Sequence, residues 1–176
     1  MIKLIVKYLV FIALLSLFAC NQTPKQPVEK APLDKMKQSM EVANRYLVND
    51  EEQDIAHYIE RHGLAMQATG TGLRYAILKQ GRKETLQDGD MVGIEYELRS
   101  IAGDLFYSSE QEGIKRFRVG DGSVESGLDE AMHHLHYGDV AKVIIPSHLA
   151  YGLHGDDRNI PEFSTLIYTI KIIENQ

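Results

Sequence analysis

The chain has 176 residues, 44% of them apolar, with 19 basic side chains against 25 acidic ones and a formal net charge of −6. That length and apolar content suit one domain with its own core plus an appendage. The acidic balance, without clustered Lys or Arg, excludes the electrostatic footprint of a nucleic-acid binder, and a single cysteine, Cys20, excludes an internal disulfide.

Lys3 and Lys7 precede an apolar run, LVFIALLSLFA, that stops at Cys20. A charged start, a short apolar stretch and small Ala19 before the break form an export signal; a membrane span would need about 20 apolar residues. Leu17-Phe18-Ala19-Cys20 resembles a bacterial lipobox. The resemblance implies cleavage before Cys20, signal peptide 1–19, and lipid attachment at Cys20 through its thiol and new amino group. Several acyl chains, each methylene worth about 0.8 kcal/mol, anchor a protein stably. An ordinary secreted protein with a stray cysteine is the alternative. Asn21 follows the cysteine in place of the aspartate that marks inner-membrane retention, and no acidic cluster comes after it. A lipid-anchored cell-envelope protein, in the outer membrane and facing the periplasm, is the expectation.

Residues 21–32, NQTPKQPVEKAP, hold three prolines and no aromatics, so 20–32 reads as a flexible tether. From Leu33 the spacing turns helical: Leu33, Met36, Met40, Ala43 and Leu47 form a stripe, with Asp50 marking its end. A second helix is predicted over 51–61, with Ile55, Tyr58 and Ile59 on one face and Gly63 as its stop. The arm, 33–69, spans two heptads, fewer than a coiled coil needs. It either mediates a homodimer, packs on its own domain as a helical pair, or is only partly ordered. The strand pattern after it is complete in itself, which predicts that 33–62 is dispensable for folding of the rest.

Past Gly70-Thr71-Gly72 the period becomes two. Val92, Ile94, Tyr96 and Leu98 alternate with Gly93, Glu95, Glu97 and Arg99, and Leu166, Tyr168, Ile170 and Ile172 alternate likewise. LRYAILK (73–79), KRFRV (115–119) and VAKVIIP (140–146) complete about five strands, punctuated by glycine-containing turns. Leu128, Ala131, Met132 and Leu135 mark one short helix behind a cap at Ser126. The expected class is α+β, with residues 70–176 as the domain.

This domain resembles the FKBP family of peptidyl-prolyl isomerases. Tyr96 is followed by Gly103-Asp104-Leu105-Phe106 and Ser108-Ser109, then by Val124-Glu125-Ser126-Gly127-Leu128, Ala150-Tyr151-Gly152 and Ile160-Pro161 before Thr165-Leu166. The order and spacing of these blocks carry the likeness; no single block does. It implies a curved antiparallel β-sheet wrapped around one short helix, preceded here by the helical arm, with an apolar pocket between sheet and helix. The connection 149–161 would be a flap over that pocket. Carried over residue by residue, Tyr96, Phe106 and Tyr151 would be catalytic, with Tyr151 donating its hydroxyl to a substrate carbonyl. Tyr107, Val124, Glu125, Leu128, Ile160 and Tyr168 would bind substrate, Ile160 closing one wall. Leu128 stands for the usual tryptophan floor and Tyr168 for the usual phenylalanine. Glu125 replaces an aliphatic residue, though the family's contact there comes from the backbone N–H. Lys115 lies where an aromatic often walls the pocket.

A dry aromatic pocket favours a twisted amide over the planar one, so no cofactor or metal is required. The expected substrates are proline-containing segments of exported polypeptides; similar lipid-anchored isomerases are associated with gliding motility. The rival is a binding module or periplasmic holdase with little turnover, raised by Tyr107, where the family has an aspartate. A tyrosine there must point to solvent or lean across the pocket mouth, which predicts reduced activity and weak inhibition by the family's macrolides. His133-His134-x-His136 reads as a solvated helix end, because adjacent helical residues point apart and no second ligand cluster accompanies them.

Overall fold

The computed structural model describes residues 33–82 and 84–174, so the leader, Cys20 and the tether lie outside the described residues. The chain divides into two compact units at Ser39/Met40; the described part of the first is the opening of helix α1, exposed from Lys35. The sheet and the candidate site lie in the second unit.

Helix α1 runs without a break over Leu33–Arg61. The two helices expected on either side of Asp50 are therefore one. Asp is only a weak helix former, and the segment contains no glycine or proline to end the hydrogen-bond ladder there. The expected stop does occur at Gly63, whose φ is +59°. Its N–H bonds to Glu60 O and the Leu64 N–H to Ile59 O, both at 3.1 Å, closing the helix with the paired bonds of a Schellman motif.

The strands are β1 (Gln67–Ala68), β2 (Arg74–Lys79), β3 (Met91–Arg99), β4 (Leu105–Ser108), β5 (Lys115–Arg118), β6 (Val140–Ile145) and β7 (Leu166–Glu174). They form one antiparallel sheet in the order β1-β2-β6-β7-β3-β4, with β5 also on β3. β4 and β5 share one flank of β3, pairing with its C-terminal and N-terminal halves respectively. Between them a one-turn helix, α2 (Ser109–Glu112), interrupts that edge.

Alternation decides what each face does. Val92, Ile94 and Leu98 of β3, Ala141, Val143 and Ile145 of β6, and Leu166, Tyr168, Ile170 and Ile172 of β7 turn to one face. There they pack on Leu128, Ala131 and Met132 of helix α3 (Ser126–Met132). Glu125 occupies the N-cap, and Ser126, expected there, is the first helical residue; its hydroxyl bonds to Leu149 O at 3.1 Å. Gly127 permits this closeness, since a Cβ would run into Ile145 and Leu149. The architecture is thus the α+β class anticipated, a curved antiparallel sheet with one short helix on it.

The opposite face is apolar at Ile144 and Ile167, which are register partners on β6 and β7. Ile55 and Tyr58 of α1 cover them, with Ile59, Leu64 and Met66 at the margin. The buried part of α1 is accordingly its C-terminal half. Met36, Met40 and Leu47 of the stripe remain about half exposed, at 49%, 60% and 46%. This packing runs against the expectation that 33–62 is dispensable, because removing it uncovers two core isoleucines. Ile55→Ala should lower unfolding stability by about 2–5 kcal/mol in a denaturant titration, the usual range for a fully buried Ile. A chain started at Thr69 should lose at least as much.

Candidate functional site

The inner face of the sheet, α3 and the loop 147–165 enclose a cluster that holds Tyr96, Phe106, Tyr107, Val124, Leu128, Tyr151, Ile160 and Tyr168. Leu128 and Tyr168 are fully buried and Ile160 nearly so, while Tyr96, Phe106, Val124 and Tyr151 are partly open to solvent. β3 delivers Tyr96 and β7 delivers Tyr168, and their rings lie 5.9 Å apart at 50°. β4 delivers Phe106 and Tyr107, and the segment entering α3 delivers Val124 and Glu125. Eight residues scattered over 73 positions of sequence thus meet: alternation turns Tyr96 and Tyr168 inward, and β4, the entry to α3, α3 itself and the loop bring the rest to them.

Glu125 changes the character of this cluster. Its side chain, 3% exposed, turns inward. It accepts hydrogen bonds from the Tyr151 hydroxyl at 2.6 Å and the Tyr168 hydroxyl at 3.0 Å, and an ion pair from Lys115 Nζ at 3.1 Å. The interior is not uniformly dry and aromatic, as expected, but carries a charged group with three donors around it. Burial pushes the Glu125 carboxyl up, yet the Lys115 ammonium and the Tyr151 hydrogen bond outweigh it and hold the group below its ordinary range. The same contacts act in reverse on the tyrosines. Burial first, then the neighbouring carboxylate, raises both Tyr151 and Tyr168 far above the usual phenol range. Tyr151 is therefore a neutral donor, but its hydrogen is already given to Glu125. Lys115, expected as a mere replacement for a wall aromatic, is the counter-ion of the site.

Tyr107 does not point out to solvent, one of the two courses expected for it. Its ring is 9% exposed and belongs to the core, while its hydroxyl donates to the Asp156 carboxylate in the loop and the Arg158 guanidinium lies 5.4 Å from the ring centroid. Asp156 Oδ1 in turn accepts the N–H groups of Arg158, Asn159 and Ile160 at 3.0, 2.9 and 2.7 Å. One carboxylate so folds the loop tip that carries Ile160 and ties it to β4. Asp157 in this tip adopts φ +58°, a left-handed conformation that an aspartate tolerates.

The histidines go to separate partners. His133 Nε2 bonds to Asp88 at 2.8 Å, His134 stacks on Tyr75 at 4.8 Å, and His136 Nδ1 faces Asp139 at 3.2 Å. Among the described residues no three metal-ligating side chains converge. A groove of about 600 Å³ opens elsewhere, beside α1, where Leu47, Val48 and Glu51 face Ser147, Leu153 and Phe163.

A curved antiparallel sheet wrapped on one short helix, with an aromatic cluster beneath a long tethered loop, defines an isomerase-type fold. Residues 82–173, more than half of the chain, match the family model for the FKBP-type peptidyl-prolyl cis-trans isomerase, and the chain belongs to that family. It is 38% identical over 86 residues to FK506-binding protein 2 of Yarrowia lipolytica, covering 48% of this chain and 60% of that one. The probable FKBP-type peptidyl-prolyl cis-trans isomerase FkpA of Neisseria meningitidis is 34% identical over 110 residues, 62% of this chain and 40% of that one. The FKBP-type 22 kDa isomerase of Escherichia coli is 32% identical over 110 residues, 62% of this chain and 52% of that one. The match spans less than two thirds of each of these relatives. The crystal structure of AtFKBP13 superposes with a TM-score of 0.61 at 25% identity, covering 64% of this chain and all of that one.

Two outcomes follow from the charges. Because Glu125 titrates below its ordinary value of 4.5 when folded, its contribution to stability is complete above that pH and is lost as pH falls through the lower folded value. Glu125→Gln should flatten the pH dependence of unfolding below 4.5, measured as urea midpoints. Tyr107→Phe keeps the ring and removes the donor to Asp156. It should cost about 1.5–3 kcal/mol, as for a hydrogen bond to a charged group, and speed amide exchange at 158–160.

Proposed function

We propose that this domain accelerates cis-trans isomerisation of X-Pro bonds in exported polypeptides. The observation that supports it most is the gathering of Tyr96, Phe106, Leu128, Ile160 and Tyr168 under a loop that presents Tyr151. Rotation of an X-Pro bond meets a barrier of about 20 kcal/mol because it breaks amide resonance. As the bond twists, the amide loses charge separation, so an apolar enclosure stabilises the twisted form relative to the planar one. The proline ring would enter between Tyr96, Phe106 and Tyr168 over Leu128, with the backbone N–H of Glu125 and the Tyr151 hydroxyl orienting the flanking carbonyls.

Tyr151 can serve a substrate carbonyl only by leaving Glu125, which accepts its hydrogen at 2.6 Å. A hydrogen bond to a charged acceptor is worth about 1.5–3 kcal/mol, against about 0.5–1.5 for a neutral one. The exchange is therefore uphill, and turnover is slower than an unoccupied Tyr151 would give. The same contact favours a second reading, a binding module that holds proline segments with little turnover. In the cell the domain would act at the periplasmic face of the outer membrane, tethered by lipid at Cys20; the leader and the Leu17–Cys20 motif support this.

A proline-limited refolding assay tests the activity. Wild type should accelerate refolding, Tyr151→Phe should lower kcat/KM, and Glu125→Gln should raise it about tenfold by making the competing hydrogen bond neutral. A folded wild type that binds proline peptides without accelerating refolding would move the assignment to the binding module. Radiolabelled palmitate incorporated into wild type and absent from Cys20→Ala would verify the anchor.

A further inference from the structure

Glu51 of α1 does something that the packing of the helix does not require. Its Oε1 accepts the backbone N–H of Ser147 and the hydroxyl of Thr165, each at 2.6 Å, and its Oε2 accepts the Ser147 hydroxyl at 3.0 Å. Ser147 lies just past the end of β6 and Thr165 just before the start of β7. They are the two feet of the flap, both nearly buried, and they are drawn to one carboxylate contributed from about a hundred residues earlier in the chain.

From these feet the contacts lead directly to the site. Ser147 O accepts the N–H of Gly152, the residue after Tyr151, at 2.9 Å, and Gly152 O accepts that of Phe163 at 2.8 Å. The position of Ser147 thus sets where Tyr151 enters the cluster, and the position of Thr165 sets the return strand behind Ile160. The tip has its own clamp in Asp156, but that clamp ties the tip to β4 and leaves the feet untouched.

We infer that Glu51 is a positioning residue for the isomerase site: the N-terminal helix closes the base of the flap through this carboxylate and so fixes Tyr151 and Ile160 over the proline pocket. The inference rests on the isomerase reading for its kinetic part only. A catalytic group displaced by about 1 Å can cost up to a hundredfold in rate, so loosened feet should be visible in turnover.

The variants are Glu51→Ala, Glu51→Gln and, on the same helix but making no hydrogen bond to the feet, Ile55→Ala. Amide hydrogen exchange across the full chain and proline-limited refolding kinetics are measured on each. Glu51→Ala should speed exchange selectively over 148–164 and lower kcat/KM about tenfold or more. Glu51→Gln should recover most of both, because its single oxygen still takes the Ser147 N–H and the Thr165 hydroxyl. Ile55→Ala should lower global stability without selective loosening of the loop. Unchanged exchange over 148–164 in Glu51→Ala, or equal selective loosening in Ile55→Ala, would overturn the inference. Wild type without isomerase activity would remove the isomerase reading alone, since the exchange experiment still decides whether Glu51 orders the flap.

Discussion

A carboxylate placed among aromatic rings stays charged only if donors surround it, and the arrangement of the site follows from that requirement at Glu125. Lys115 from β5, Tyr151 from the flap and Tyr168 from β7 all turn toward it. The flap cannot lift at Tyr151 without exposing part of that charge's hydrogen-bond shell. Strand β5 cannot shift without moving the counter-ion. The cluster is therefore held by an internal polar network, and on the proposed isomerase reading its readiness to accept a substrate carbonyl would depend on how easily one member of that network is exchanged.

The flap itself is held at three heights by three carboxylates. Glu51 gathers its feet, Glu125 holds the Tyr151 hydroxyl, and Asp156 folds its tip against Tyr107. A loop of this length without strands would ordinarily be among the least ordered parts of a domain. Here each clamp satisfies backbone or hydroxyl donors that would otherwise need water. The helix α1, which a family-level view of the domain would set aside, contributes the lowest clamp and the cover for Ile144 and Ile167.

Much of this was legible in the sequence, and the exceptions have identifiable causes. Alternation at Val92, Ile94 and Leu98, and at Leu166, Tyr168 and Ile170, marked the inward faces correctly because one buried face enforces period two. Gly63 was legible as a stop because only glycine adopts its conformation cheaply. The continuity of α1 through Asp50 was not, since a polar stretch within a helix looks the same as a connection between two. Nor was the inward turn of Glu125: its donors lie 10, 26 and 43 residues away, so nothing local announces them. Tyr107 stood out in the sequence, but its partner is a loop aspartate 49 positions later, which no spacing rule connects to it.

The two borders of the sheet have a consequence for what the domain can hold. At one border β1 contributes only Gln67 and Ala68, and at the other α2 breaks the line between β4 and β5. Among the described residues the free edge is thus cut into short pieces, the largest of them Ala76–Lys79 of β2 beyond β1 and the four-residue strands β4 and β5, too short for an incoming chain to zip up along as a long added strand. A protein with the proposed role toward extended polypeptides would be more exposed to that kind of capture than most. With margins cut this short, the sheet has little edge on which a foreign chain could seed association.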